Sequence, residues 1–127
     1  MSNIAYSAVV LDEKSHQKLI EKFKNIIPEN WQILADHQTI NMGEIDNEYE
    51  KYLGFSVKLE VVDFAIDDKV IAIGTSGFFS KNKKAHITIA INKKDGGKPV
   101  MSNYLTNWRP LKKPLFLIGK VVEVKYK

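Results

Sequence analysis

Two of the three histidines in the chain occur in the same short pattern. His37 and His86 each begin a tetrapeptide His-x-Thr-Ile. The threonines of the two copies are Thr39 and Thr88. Two imidazoles that face one cleft can supply a general base and a general acid near neutral pH. A threonine hydroxyl beside each imidazole can donate a hydrogen bond to a phosphate oxygen. The pattern therefore indicates opening of a phosphodiester, in which negative charge grows on the phosphate oxygens.

This chemistry requires each histidine to point away from the protein core. In a β-strand, residues two apart share a face, so each histidine points the same way as its threonine. The other face of the second copy is apolar and predicts a core face; it consists of Ala85, Ile87, Ile89 and Ile91. The histidines are thus expected to face a cleft or solvent. The alternative interpretation is that threonine and isoleucine favour strands and that histidine is tolerated there.

The first half of the chain combines strands with one helix. Strand-type residues predict a first strand over 3–11, and apolar residues at helical spacing predict a helix over 13–27 that ends at Pro28. A strand is predicted over 31–43. The acidic residues 44–53 are expected to form a loop or a short helical turn.

The second half of the chain is predicted to be rich in β-structure. Two long strands over 55–66 and 69–79 are expected to form a hairpin that turns at Asp67-Asp68. Further strands are predicted over 85–92 and 114–127. One helix against about six strands predicts an α+β fold class with mostly antiparallel pairing.

The composition favours one globular domain, residues 1–127. The hydrophobic content of 44% argues against disorder, and 127 residues can bury a core without disulfides or a structural metal. The absence of cysteine excludes thiol nucleophiles, disulfide frameworks and cysteine-based zinc sites. No apolar run approaches the roughly 20 residues that span a bilayer, and the first residues do not resemble a signal peptide. We therefore expect a soluble, cytoplasmic protein that does not contact a membrane.

The charge is unevenly distributed along the chain. Residues 1–79 hold 7 lysines against 13 acidic residues, a net charge of −6, whereas residues 80–127 carry a net charge of +10. This asymmetry is typical either of a C-terminal part that binds a polyanion or of a solvated lysine-rich surface.

The paired motifs, the opening strand and the helix after it resemble the 2H phosphoesterase superfamily. Members of this superfamily carry paired His-x-[Ser/Thr] signatures on the inner strands of two pseudo-symmetric lobes. The spacing of 49 residues between the motifs is similar to that of a compact branch, the phosphodiesterase domain of fungal tRNA ligases and related RNA-repair or phage proteins. The resemblance covers nearly the whole chain, but only the tetrapeptides are specific to the superfamily.

The resemblance implies both a fold and an activity. The fold would consist of two antiparallel sheets in a bilobal arrangement with a central cleft. The activity would be metal-independent hydrolysis of a 2′,3′-cyclic phosphate at an RNA end or on a nucleotide, with no cofactor and with the chain as a monomer. His37 and His86 would be the catalytic pair, and Thr39 and Thr88 would bind phosphate oxygens. The alternatives are a phage-type hydrolase of cyclic oligonucleotide signals and a non-catalytic nucleic-acid-binding module.

Residues 96–104 follow the second motif closely and offer candidate substrate contacts. Lys98, Ser102 and Asn103 could contact a phosphate or a base edge. The other interpretation is a plain surface loop with turn residues.

Three aromatic residues could contact a base. Tyr104 and Trp108 are candidates for stacking, although aromatic residues at such positions are also common as core or loop anchors. Tyr6 on the first strand could line the cleft.

Overall fold

The computed structural model describes residues 3–127, which form one seven-stranded sheet and one α-helix. The strands and the α-helix are β1 (Ile4–Leu11), α1 (Glu13–Phe23), β2 (Gln32–Ile33), β3 (His37–Met42), β4 (Ser56–Ile66), β5 (Val70–Ser76), β6 (His86–Ile91) and β7 (Arg109–Lys125). Three short 3-10 helices cover Asn47–Tyr52, Lys93–Asp95 and Pro99–Tyr104.

The sheet closes on itself. Its strand order is β2-β6-β3-β1-β7-β4-β5, and β5 pairs again with β6, so that six strands form a barrel with β2 added alongside. Every pairing between these strands is antiparallel. The predicted α+β class with mostly antiparallel strands is therefore confirmed. Two separate sheets and a bilobal layout are not confirmed, because the β5–β6 pairing joins all the strands into one sheet.

Helix α1 is shorter than the predicted helix over 13–27. Asp12 caps its first turn, since the Ser15 N–H donates to Asp12 Oδ1 at 2.7 Å. The helix ends at Phe23, the last residue of its buried face. The chain then continues in turns to Pro28, whose ring disfavours helical geometry in the residue before it.

The strand predicted over 31–43 is divided into β2 and β3. Ala35, fully buried, lies between them with a φ of 54°, in the left-handed region that interrupts a strand. Both parts run along the same edge of β6, where Gln32 pairs with Ile91 and Gln38 pairs with Ile87. The segment at Ala35 thus acts as a bulge that changes the register before the first motif.

The remaining strands follow the predictions with two differences. Strand β5 ends at Ser76, three residues before its predicted end at residue 79. The hairpin at Asp67-Asp68 is confirmed, since Asp67 Oδ1 accepts hydrogen bonds from the backbone of Lys69 and Val70. Strand β7 begins at Arg109 and not at residue 114. Its first part pairs with β4 alone and so tolerates Pro110 and its missing N–H.

The main core fills the barrel and lies beneath α1. Its largest buried side chains include Leu19, Ile40, Leu59, Ile87 and Leu117. A second, smaller apolar cluster lies outside the barrel, between β4–β6 and the segment that contains the 3-10 helix Pro99–Tyr104. In the described part of the chain, no helix is both long and apolar enough to cross a membrane.

Candidate active site

The two motif strands are neighbours in the barrel. Gln38 of β3 pairs with Ile87 of β6 in antiparallel register. This register sets His37 opposite Thr88 and sets His86 opposite Thr39. Side chains directly opposite each other in an antiparallel pair have Cβ atoms about 5 Å apart. All four side chains of the two motifs therefore gather on one face of two adjacent strands.

The bulge at Ala35 holds the start of the first motif in place. The Ala35 N–H donates to the Thr88 carbonyl at 3.0 Å. The Ala35 carbonyl accepts a hydrogen bond from His16 Nδ1 at 2.9 Å. The helix therefore contributes the third histidine as a support for the segment just before His37. A sequence pattern cannot reveal this contact, because it depends on how α1 packs against the barrel.

A cavity of about 390 Å³ opens over the four motif side chains. It is lined by Leu34, Asp36, His37, Thr39, Met42, Asn82, His86, Thr88, Pro99, Val100 and Asn103. Among these lining residues there is one carboxylate, Asp36, and no lysine or arginine. Hydroxyl, amide and imidazole groups therefore supply the polar contacts that an anionic ligand would find there.

His37 lies at the edge of this cavity, against Tyr6. The two rings stack with their centroids 4.9 Å apart. Burial lowers the pKa of His37 below the ordinary value of 6.5, Asp36 raises it in part, and the charge of His86 lowers it further. The pKa of Tyr6 is raised, mainly by burial and then by the negative charge of Asp36. His37 is therefore held mostly in its neutral form near pH 7.

His86 is buried and oriented by the backbone. Its Nδ1 donates to the Lys84 carbonyl at 2.8 Å, which leaves Nε2 as the nitrogen available to a ligand. The Lys84 side chain is itself fixed, because its Nζ lies 2.8 Å from Asp63 Oδ2 and 4.6 Å from the centroid of the Trp108 ring. The Asp63 carboxylate occupies the space above Gly74, where a Cβ would overlap it. Lys84, Asp63 and Trp108 thus form a support beside the second histidine.

The threonine of the second motif is hydrogen-bonded from the covering segment. Thr88 Oγ1 and Ser102 Oγ are 2.8 Å apart, and Ser102 is 2% exposed. Thr88 Oγ1 also lies 3.4 Å from the Pro99 carbonyl, which can accept its proton. Ser102 therefore contacts Thr88 rather than opening directly onto the cavity. Thr39 has a different support, since its carbonyl accepts a hydrogen bond from Ser80 Oγ at 2.7 Å.

The structure brings together only some of the predicted substrate-binding residues. Asn103 lines the cavity, and Tyr6 lines a neighbouring one of about 400 Å³ that shares Asp36 and His37. Three others do not line the cavity. Lys98 and Tyr104 point into solvent, with Tyr104 77% exposed. Trp108 packs on the second apolar cluster, where its indole N–H donates to the Leu105 carbonyl at 3.0 Å, so it acts as a loop anchor.

Several cavity residues were not expected from the sequence. Asp36 precedes the first motif, and Asn82 lies in the basic segment before β6. Met42 and Val100 add exposed apolar surface at the rim. Of these residues, only Asp36 could have been predicted from the sequence, because it lies next to the candidate catalytic residue His37. The others reach the cavity through loops whose paths depend on tertiary packing.

The described residues contain no candidate metal site, and comparison with known protein families and curated sequences identifies no relative. Within residues 3–127, no group of three or more His, Asp or Glu side chains is arranged to hold a metal ion. No protein-family model matches the chain, and no curated protein matches it in sequence. The site is therefore interpreted from its own residues.

Proposed function

We propose that the chain is a metal-independent cyclic phosphodiesterase that hydrolyses a 2′,3′-cyclic phosphate by two-histidine acid–base catalysis. One observation carries the proposal: His37 lies opposite Thr88 and His86 lies opposite Thr39 on adjacent strands. Two imidazoles and two hydroxyls then face one cavity, a set that combines proton transfer with binding of a phosphate.

In this mechanism His37 is the general base. Burial and the nearby charge of His86 disfavour a proton on His37, so its neutral ring can take a proton from the attacking water. His86 is then the general acid. Its Nδ1–H is held by the Lys84 carbonyl, so the proton on Nε2 is the one delivered to the departing ribose oxygen. One P–O bond forms to water as one P–O bond to ribose breaks. His37 then releases the proton taken from water to solvent, and His86 regains a proton from solvent before the next turnover.

The phosphate would be bound mainly by hydroxyl groups. Thr39 and Thr88 lie beside the two rings, and the lining of the cavity contains no lysine or arginine. The growing negative charge must therefore be met by the protonated imidazole and by hydrogen bonds from the two threonines. Thr88 can donate to the phosphate once its proton turns away from the Pro99 carbonyl, while Ser102 donates to Thr88 Oγ1. Asn82 and Asn103 at the rim offer amide groups to the sugar or the base.

The finer features of the proposal follow from the same resemblance to the 2H phosphoesterases. In that layout each motif strand belongs to one of two pseudo-symmetric lobes around a central cleft. We propose that the cavity over β3 and β6 is the counterpart of that cleft. We include in the proposal that the enzyme acts as a monomer, because one chain supplies both motifs. A cytoplasmic location and the absence of a cofactor are also part of the proposal.

The substrate is proposed to be an RNA end or a nucleotide. A cyclic oligonucleotide is a second candidate substrate for the same chemistry. The cavity of about 390 Å³ lies within the size range of small-molecule sites and can accept one nucleotide unit. Its apolar rim at Met42 and Val100 offers surface against which a base can pack.

The proposal is tested by hydrolysis in the presence of EDTA between pH 5 and pH 9. The substrates are 2′,3′-cyclic nucleotides, an RNA oligomer with a cyclic phosphate end, and a cyclic oligonucleotide. We expect a bell-shaped pH profile for the unaltered chain. His37→Ala and His86→Ala should each lower kcat/KM by about 10²- to 10⁴-fold, the usual contribution of a general acid or base.

Matched variants separate chemistry from folding. Thr39→Ala and Thr88→Ala should reduce activity, whereas Thr106→Ala should not, because Thr106 is exposed and lies outside the cavity. Thermal unfolding of every variant tests whether the fold is intact. Full activity of both histidine variants would refute the mechanism, as would an unaltered chain that hydrolyses none of the three substrates.

A further inference from the structure

A second cavity, of about 530 Å³, lies outside the candidate active site. We call it the basic groove; it is lined by Lys22, Phe64, Arg109, Pro110, Leu111, Lys112 and Lys113. It lies between the last turn of α1 and the first part of β7, and it shares no lining residue with the cavity over the motifs. Phe64 and Leu111 form its apolar floor and pack against the main core.

The cations of the basic groove are not neutralised by the protein. Four of its seven lining residues are lysine or arginine, and none is acidic. Within residues 3–127 no ion pair involves any of these four cations. Lysines elsewhere in the chain do have partners, for example Lys24 with Glu21 and Lys84 with Asp63. Like charges held together in a concave surface repel one another, and an anionic ligand relieves that repulsion.

The register of β7 and β4 places the arginine of the groove opposite an aromatic residue. Arg109 pairs with Phe64 across β7 and β4, and Pro110 pairs with Asp63. Arg109 is the only arginine in the chain, and a guanidinium can bind a phosphate through two parallel hydrogen bonds. Pro110 lacks an N–H, so this edge is poorly suited to adding another β-strand.

We propose that the basic groove binds a segment of single-stranded nucleic acid. A strand presents phosphates at regular intervals together with bases that stack on aromatic side chains, and the groove offers four cations around Phe64. A membrane surface is a poorer fit, because the cations line a concave groove rather than a flat face with apolar groups at its outer edge. Binding here does not depend on catalysis, so it extends beyond the proposed phosphodiesterase activity.

The groove and the active site are separated along the closed sheet, because β7 lies three strands from β6 in either direction. Paired residues run from His86 through Gly74 and Asp63 to Pro110, which is three strand spacings or about 14 Å. This link rests on the proposed function, whereas binding in the groove does not. A single strand that occupies both the active site and the groove must therefore pass around the outside of the barrel.

The test measures binding without turnover. The full chain carrying His37→Ala is titrated against a fluorescent single-stranded RNA that ends in an ordinary 3′-hydroxyl, and anisotropy is recorded from about 50 to 200 mM salt. The groove variant adds Arg109→Ala, Lys112→Ala and Lys113→Ala. Its control adds Lys14→Ala, Lys93→Ala and Lys94→Ala, which remove the same charge from exposed positions outside the groove.

We expect the groove variant to bind at least about tenfold more weakly than the control. Its slope of log K against log salt should fall by about 2, which corresponds to the loss of about three phosphate contacts. Equal affinity and equal slope in the two triple variants would overturn the proposal. The proposal would also be overturned if the groove residues were required for binding to anionic lipid vesicles but not for binding to RNA. Because His37→Ala is present throughout, a failure of the proposed hydrolysis leaves this result unaffected.

Discussion

Gln38, the residue between the histidine and the threonine of the first motif, should contribute strongly to stability. It points into the barrel and is fully buried. Its Oε1 accepts a hydrogen bond from Thr75 Oγ1, and its Nε2 donates to the carbonyls of Phe78 and Phe79 at 3.2 Å each. Gln38 therefore ties the first motif strand to β5 and to the chain that follows β5. The perturbation is Gln38→Leu, which nearly preserves the size of the side chain and removes its polar atoms.

The expected cost follows from the groups that lose their partners. Gln38→Leu leaves one hydroxyl and two carbonyls without these hydrogen bonds, and each such group costs about 1–3 kcal/mol when it is buried. The apolar leucine recovers part of this by the hydrophobic effect. We therefore expect the free energy of unfolding to fall by about 2–4 kcal/mol. For a chain of this size, that corresponds to a decrease in Tm of about 10 °C.

Urea unfolding of a double-mutant cycle provides the assay. Thr75→Val alone should cost about 1–2 kcal/mol, because it removes one partner and leaves Gln38 Oε1 unpaired. The double variant should cost less than the sum of the single variants by about 1 kcal/mol, since both partners are then apolar. A Gln38→Leu variant within about 0.5 kcal/mol of the unaltered chain would refute the reasoning, as would strictly additive costs.

Three further predictions concern the candidate site. The pKa of His37 is lowered on folding, so the unfolded chain binds its proton first as the pH falls below the ordinary value of 6.5. The free energy of unfolding should therefore decrease from pH 7.5 to pH 5.5, and by less in His37→Gln; an equal loss in both proteins would contradict the lowered pKa. Ser102→Ala removes the hydroxyl that lies 2.8 Å from Thr88 Oγ1, so kcat/KM should fall by about tenfold. Circular dichroism should show an unchanged fold, and unchanged kinetics would exclude a positioning role for Ser102. Lys84→Met removes the ion pair with Asp63 and so frees the backbone carbonyl that holds Nδ1 of His86; ¹⁵N NMR should then show a mixture of His86 tautomers. Lys83→Met, at an exposed position, is the control. Identical spectra for the two variants would refute the role of Lys84 in orienting His86.

The interrupted strand before the first motif shows where sequence periodicity stops being informative. The residues from 31 to 43 have the composition of one strand, and most of them do lie along one edge of β6. The break comes from Ala35, whose positive φ is held by hydrogen bonds to Thr88 and His16. Alanine has no intrinsic preference for that conformation, so only its distant partners impose it. The closed barrel escaped prediction for a similar reason, because the β5–β6 pairing joins strands whose local patterns do not specify a partner.

The predicted substrate contacts divide in the same way. Asn103 lies at the cavity and Ser102 supports Thr88, whereas Lys98 and Tyr104 face solvent. These residues belong to or adjoin the 3-10 helix Pro99–Tyr104. Their residue types alone do not predict which side of this helix faces β6. The packing of Leu105 into the second apolar cluster decides that orientation.

The sequence by itself determined the face on which the catalytic candidates lie. The two-residue period of a strand separates His86 and Thr88 from Ile87 and Ile89, and burial of the isoleucines then turns the histidine outward. Only the tertiary structure decided that the two motifs meet. The pairing of Gln38 with Ile87 joins segments 49 residues apart, and a shift of one residue would turn one motif away from the other. Side-chain alternation is a local property of the backbone, whereas register is set by the bulge, the barrel closure and the core together.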